Sequence, residues 1–232
     1  MAAYNLALSL SSLVLFVVLS VVIANVYAEY GFEGVWNDPH WTLPGTPVSY
    51  CCYAFYVSKY VELLDTAFLL LKKKKPRFVQ KWHHISVLFL FWSYMQARML
   101  NHWVLVWANC FAHVFVYGYF FAATVGIEVP FKHAITFIQI GQFVLDMGYS
   151  MPFPYMKMNG WTPGEWGPWI LGQFIGLTFI ILFTRVLIGN MGKGEGKGKD
   201  KGKDKGGKGS SDSAGAPPKR RSARLAGKNK VD

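Results

Sequence analysis

Apolar residues run through this chain in six long blocks, separated by polar or aromatic-rich breaks. The blocks predict helices over about Asn5–Tyr27, Val48–Leu71, Lys81–Gln96, His102–Ala123, Lys132–Ser150 and Trp166–Gly189. A membrane-spanning helix needs about 20 predominantly apolar residues, and all but the third block reach about that length. The third is expected to extend back toward Arg77 or to be buried among its neighbours. The first lacks the basic flank and small-residue cleavage site of a signal peptide, so it reads as a permanent helix. The fold class expected is all-α, a polytopic transmembrane bundle of six spans.

Polar side chains interrupt these blocks at helical spacing. Lys59, Glu62 and Asp65 lie three apart in the second block and cover an arc of roughly 120°. Gln80, His83 and His84 fall close together at the start of the third. Asn109, His113 and Tyr117, four apart, stack on one face of the fourth. Thr136, Gln139, Gln142 and Asp146 form a similar stripe on the fifth. Ionisable groups inside membrane helices are expensive and mark function by default. The alternative is structural: an internal salt bridge for Glu62, and interhelical hydrogen bonds for Asn109 and the glutamines.

Composition agrees with a membrane protein. Of 232 residues, 52% are hydrophobic and only 16% charged, against roughly 25% in soluble domains. The net charge of +11 is concentrated at the C-terminus, where 13 of the 24 Lys/Arg follow Asn190. The chain is therefore expected to divide into a bundle over 1–190 and a disordered Lys/Gly-rich tail over 191–232, able to touch anionic lipid. Lys72 to Lys75, Arg77, Lys81, Lys132 and the tail outweigh Arg98 and Lys157 on the other side. By the positive-inside rule, both termini and the second and fourth connections are expected in the cytosol. The Trp- and Pro-rich connections at Glu29–Thr46 and Met151–Glu165 then face the lumen, and no chemistry is assigned to them.

Three cysteines, Cys51, Cys52 and Cys110, cannot build a disulfide framework. Six histidines are too few for a di-iron histidine-box centre, and His40 and His102 fall on the lumenal side, so no metal is expected. Cys110, three residues before His113, is a possible nucleophile, though buried cysteines usually act as small hydrophobes. A transporter or channel could use the same polar stripes, but it would normally carry an internal repeat, and the His-His and Lys-Glu-Asp patterns do not recur. The segment Pro218–Leu225 resembles the nucleosome-binding signature of high-mobility-group N proteins. Eight residues in a biased tail behind six spans are read as chance, and no nucleic-acid partner is expected.

The stripes carry four motifs in order. They are Lys59-x-x-Glu62-x-x-Asp65-Thr66, Gln80-Lys81-Trp82-His83-His84, Asn109-x-x-x-His113-x-x-Val116-Tyr117-x-Tyr119-Phe120 and Thr136-x-x-Gln139-x-x-Gln142. Together they resemble the lysine, histidine, asparagine–histidine–tyrosine and last boxes of the ELO family of very-long-chain fatty acid elongases, over about Tyr4–Gly189. Gln80 stands where the family usually has His, as in protist and algal members that elongate polyunsaturated chains. Val116 replaces a Met and Phe120 a Tyr. The family has seven spans, and the Tyr4-Asn5 start resembles that of its second helix, so the first is expected to be absent.

The resemblance implies condensation of acyl-CoA with malonyl-CoA to 3-oxoacyl-CoA, CoA and CO2, without a cofactor. It implies catalytic roles for His83, His84, His113, Asn109 and Gln80, with His83 as nucleophile or general base. Lys59, Glu62, Asp65, Tyr117, Thr136, Gln139 and Gln142 are the expected substrate-binding set. Lys72, Lys73, Lys74, Lys75 and Arg77 are placed to meet CoA phosphates or to anchor the membrane interface. The implied location is the endoplasmic reticulum membrane. The implied partners are the 3-oxoacyl-CoA reductase, dehydratase and enoyl reductase of the cycle, and a homodimer stays open.

Overall fold

The structure, a computed structural model, describes residues 1–37, 45–99, 102–130, 132–162 and 164–203. All regular structure among them is helical: α1 (Ala2–Asn37), α2 (Pro47–Glu62), α3 (Leu64–Leu71), α4 (Phe78–Gln96), α5 (His102–Thr124), α6 (Lys132–Ser150), α7 (Phe153–Met158) and α8 (Trp166–Lys203). The chain forms two units, Met1–Gly192 and Lys193–Asp232. Of the second, only the helical stretch through Lys203 is described, and α8 thus continues past the predicted helix end at Gly189.

The six predicted spans correspond to α1, the α2–α3 pair, α4, α5, α6 and α8. Three are long and apolar enough to cross a membrane on length and composition: Ala2–Phe32, His102–Thr124 and Trp166–Gly189. Of the other three, the second is divided into α2 of 16 residues and α3 of 8, and α4 and α6 carry the histidine pair and the polar stripe. Along α1, Leu10, Leu13, Val14, Val17, Val18 and Val21 are exposed, as befits a face turned to lipid.

Two boundaries differ from the sequence reading in ways that matter. The third span does extend back, starting at Phe78 with Arg77 at its N-cap. The second span is not one helix. Its start is firm: Thr46 Oγ1 accepts from the Ser49 amide at 3.2 Å, Ser49 Oγ accepts from the Thr46 amide at 3.1 Å, and Pro47 opens the first turn. At Leu63 the ladder tightens, the Leu63 amide donating to the Tyr60 carbonyl at 3.2 Å, before α3 resumes at Leu64. Apolar periodicity continues across Leu63, so nothing in the pattern announces the break. Farther on, Lys73 and Arg98 take left-handed backbone angles, with φ of 54° and 49°, and end α3 and α4.

Helix α5 is central. It packs against α1, α2 and α6, and α2 also packs against α4. Three hydrogen bonds set α1 antiparallel to α5: Asn5 Nδ2 to Thr124 Oγ1 at 3.4 Å, Ser9 Oγ to the Val114 carbonyl at 2.9 Å, and Trp107 Nε1 to Ser20 Oγ at 2.8 Å. Phe55, Phe91, Val106, Cys110, Phe143, Ile175 and Phe179 fill the interior. In lipid there is little hydrophobic drive between helices, so close packing and such hydrogen bonds carry the association.

Replacing Ser20 with Ala removes the acceptor for Trp107 Nε1 and changes little volume. The expected loss is about 0.6 kcal/mol, the average for an interhelical hydrogen bond in a membrane protein. Unfolding of the detergent-solubilised protein measures it.

Candidate active site

The site begins with a charge that has nowhere to go but inward. Lys59, on the last turn of α2, is 3% exposed. Its Nζ donates to Glu62 Oε1 at 2.6 Å and to Asn109 Oδ1, across on α5, at 2.8 Å. It also lies 4.1 Å from the centre of the Phe55 ring, the geometry of a cation–π contact. Glu62 is equally buried, and its Oε1 lies 3.3 Å from His113 Nδ1. Glu62 Oε2 and His113 Nδ1 have no hydrogen-bond partner. The cluster therefore holds unused hydrogen-bonding capacity next to an imidazole.

Helix α4 brings the second half. The His83 ring centre lies 5.5 Å from that of His84 and 6.0 Å from that of His113. Phe179 of α8 closes the far side at 5.5 Å. Trp82 Nε1 donates to Thr178 Oγ1 at 3.1 Å and ties α4 to α8. His84 and His113 are buried and His83 half-buried. The three imidazoles thus share one chamber and do not point to lipid.

Asp65 lies just past Leu63, which keeps helical angles (φ −60°, ψ −23°), so the stripe continues into α3. Asp65 sits on α3, where its Oδ2 accepts from Tyr117 Oη at 2.8 Å. Tyr117 in turn packs edge-on to His113, 5.3 Å between ring centres. Asp65 therefore reaches the chamber through Tyr117, whereas Lys59 and Glu62 enter it directly. Beside them Tyr4 of α1 donates to the Val61 carbonyl at 3.1 Å, on the last turn of α2.

From Asn109 and Phe179 a slot runs toward the other end of the bundle. It is a cavity of about 40 Å³ between α4, α5, α6 and α8, lined by apolar side chains such as Leu90, Phe91, Phe143 and Ile175 and by Gln142. A second cavity of about 20 Å³ adjoins it, shares Tyr94, Leu105 and Ser150, and ends on Phe153 and Met156 of α7. The connection holding α7, to which the sequence gave no chemistry, thus forms the floor.

The other expected residues are placed less directly. Gln80 is half-buried at the start of α4, one turn before the histidine pair, and makes no hydrogen bond to a described residue. Thr136 is buried and Gln139 half-buried on α6, without a hydrogen bond to the chamber. Lys72, Lys73, Lys74, Lys75 and Arg77 are exposed around the α3–α4 turn. Cys110 packs in the apolar interior with Cys51 and Cys52 and makes no hydrogen bond to His113. His102 is buried at the start of α5, its Nδ1 2.7 Å from the Met99 carbonyl, and His40 lies outside the described residues. Among the described residues, no group of three or more His, Cys, Asp or Glu is arranged to hold a metal. Phe55 and Phe179 are the participants the sequence could not reveal, since both sit in ordinary apolar runs. Gln173, a polar amide inside the apolar last block, is the sequence signal for the α8 side of the slot.

The sequence profile of the GNS1/SUR4 family, ELO, matches residues 1–199. The chain belongs to the ELO family. This ELO chain is 33% identical over 191 residues to fatty acid elongase A of Dictyostelium discoideum, covering 80% of this chain and 69% of that one. It is 28% identical over 193 residues to long chain fatty acid elongase 2 of Caenorhabditis elegans, with the same two coverages. A Schizosaccharomyces pombe relative that also bears a fatty acid elongase name matches at 34% over 147 residues. There the ELO chain spans only 40% of the relative's length, and in a further D. discoideum match only 49%. No solved structure matches the chain significantly.

Removing Lys59 should be costly in a way that removing the whole pair is not. Lys59→Met leaves the Glu62 carboxylate buried without its partner, an effect of about 3–5 kcal/mol. The double variant Lys59→Met/Glu62→Gln should recover much of that loss. A double-mutant cycle of unfolding free energies checks it, and simple additivity would contradict the pairing.

Proposed function

We propose that this chain catalyses the condensation step of fatty acid elongation, joining an acyl-CoA to malonyl-CoA. The products are 3-oxoacyl-CoA, CoA and CO2. The observation that carries the reading is the convergence of His83, His84 and His113 beside the Lys59–Glu62–Asn109 cluster, at the head of an apolar slot. The family relationship and the names of the relatives support the same chemistry.

A thioester carbonyl at the head of the slot lies within the reach of His83. Its imidazole attacks the carbonyl carbon, the CoA thiolate leaves and takes up a proton, and an acyl-imidazole remains. Malonyl-CoA then loses CO2, and the electron pair of the broken carbon–carbon bond becomes an enolate. The enolate carbon attacks the acyl carbon and His83 departs as the leaving group. Negative charge develops on oxygen at each step, so pre-placed donors matter more than any movement. His84 and His113 supply imidazole donors, and Asn109, its oxygen already engaged by Lys59, has its amide hydrogens free. Glu62 holds His113 by the Nδ1 side, and Gln80 overlooks the entrance from one turn away. Tyr117 and Asp65 border the histidines, and Gln142 lines the acyl path on α6, with Thr136 and Gln139 on the turns before it.

At about 40 Å³ the slot has room for a few waters at most. An acyl chain therefore enters as side chains such as Tyr94 and Phe179 turn aside. The exposed Lys72–Lys75 and Arg77 are suited to CoA phosphates, which makes the α3–α4 end the side of CoA entry. That end is cytosolic by the positive-inside rule, and the compartment proposed is the endoplasmic reticulum. The 3-oxo product calls for a ketone reduction, a dehydration and an enoyl reduction by partner enzymes.

Membranes holding the full chain, given acyl-CoA and labelled malonyl-CoA, should yield a 3-oxoacyl product two carbons longer. Ligand flux without such a product would favour a transporter instead. His83→Ala should abolish the product and the acyl label retained after denaturation. Retained label in that variant would overturn the nucleophile assignment and leave His83 as a general base.

A further inference from the structure

Two oxygen acceptors face the slot with no donor to meet them. Asp146 Oδ1 and Gln173 Oε1 are buried and have no hydrogen-bond partner. Both side chains line the cavity of about 40 Å³ between α4, α5, α6 and α8. Tyr94 Oη and Asn109 Nδ2 line the same cavity but make no hydrogen bond to either oxygen, and the nearer donors are committed. Gln142 Nε2 donates to Asp146 Oδ2 at 3.3 Å. Gln173 Nε2 donates to Ser150 Oγ at 2.5 Å, and Ser150 Oγ donates to the Met147 carbonyl at 2.8 Å. A buried acceptor left without a donor loses its full solvation, which is why such groups are rare in folded proteins.

Nothing in the condensation chemistry needs this group. Asp146 lies one turn beyond Gln142 on α6, away from the histidines, and shares its cavity with Tyr94. Along α4, Tyr94 is about 16 Å from His83 by helical rise. An acyl chain anchored at His83 would lie beside Asp146 at some middle or distal carbon. A plain hydrocarbon there leaves both oxygens unpaired and expels any water that served them.

We propose that Asp146, Gln142 and Gln173 form a subsite for a hydroxyl group carried on the acyl chain, so that the preferred substrate is a hydroxyacyl thioester. This rests on the elongase reading above. The hydroxyl donates to Asp146 Oδ1. The Gln173 amide, whose two ends can exchange places, presents Nε2 to the hydroxyl oxygen. Ser150 Oγ then turns from the Met147 carbonyl and donates to Gln173 Oε1. Asp146 Oδ1 and both ends of the Gln173 amide are then paired. The lining around it is otherwise apolar, so an unpaired hydroxyl has no comparable site elsewhere along the slot.

The test compares acyl-CoAs with and without a terminal hydroxyl, from octanoyl to octadecanoyl, using membranes that contain the full chain. At the lengths that bring the hydroxyl to Asp146, kcat/KM for the hydroxylated member should exceed that of the plain member at least ten-fold. Shorter pairs should show no preference. Asp146→Leu should bring the ratio close to one, and Gln173→Leu, measured alongside in case the first variant does not fold, should lower it. Equal use of both members at every length overturns the proposal, as does a preference that survives both substitutions. A second arm reads binding without turnover, through thermal stabilisation of the solubilised chain by hydroxylated and plain fatty acids. If no acyl-CoA is elongated, the elongase reading fails, and this arm still decides. A larger shift with the hydroxylated acid supports the subsite, and equal shifts overturn it.

Discussion

The buried ammonium of Lys59 is the constraint around which this protein is organised. A lysine inside a membrane bundle must find its partners within the protein, because lipid offers none. Here they come from two places: Glu62 one turn away on the same helix, and Asn109 from α5. The first pairing is local and neutralises the charge. The second crosses between helices and fixes how α2 sits against α5, so the electrostatic requirement becomes a structural one. His113, one turn from Asn109, is carried to Glu62 by the same docking. The imidazole's position therefore follows from the lysine's need for partners.

The registry of two stripes is the second element of the arrangement. Leu63 keeps helical angles, so Lys59, Glu62 and Asp65 stay on one stripe across the α2–α3 junction. They meet Asn109, His113 and Tyr117 in turn along α5. Two carboxylates three residues apart thus do different work, one inside the chamber and one at its edge. Tyr4 of α1 meets the last turn of α2 at the Val61 carbonyl, so α1 borders the site as well.

The chamber also explains why the helices divide into two classes. Three are apolar enough to span on composition. The others carry Lys59, Glu62, the histidine pair and the α6 stripe, while α5, apolar overall, brings Asn109 and His113 to meet them. Helix α8 adds cover: Phe179 covers His83, Thr178 accepts from Trp82, and Ile175 lines the slot. The small α7 closes the floor through Phe153 and Met156. An apolar slot that begins at Asn109 and Phe179, beside the imidazoles, is suited to hold a long apolar chain by its reactive end.

Much of this was legible in the sequence because membrane helices obey a strict rule: apolar residues outside, polar ones only where a partner waits. That rule located the six rods and picked out Lys59, Glu62, His83, His84, Asn109 and His113 from one chain alone. The spacing of Asn109, His113 and Tyr117 could place them on one face, since helical periodicity is a local property. Only the tertiary structure decided which stripe meets which. It set Asp65 against Tyr117, chose Asn109 as the second partner of Lys59, and brought Phe179 over His83 from α8. It also set Asp146 and Gln173, 27 residues apart, on one cavity. Periodicity fixes the direction a side chain faces on its own helix. The partner it finds depends on how the helices are docked, and that is settled by packing and by the pairing of buried charge across the whole bundle.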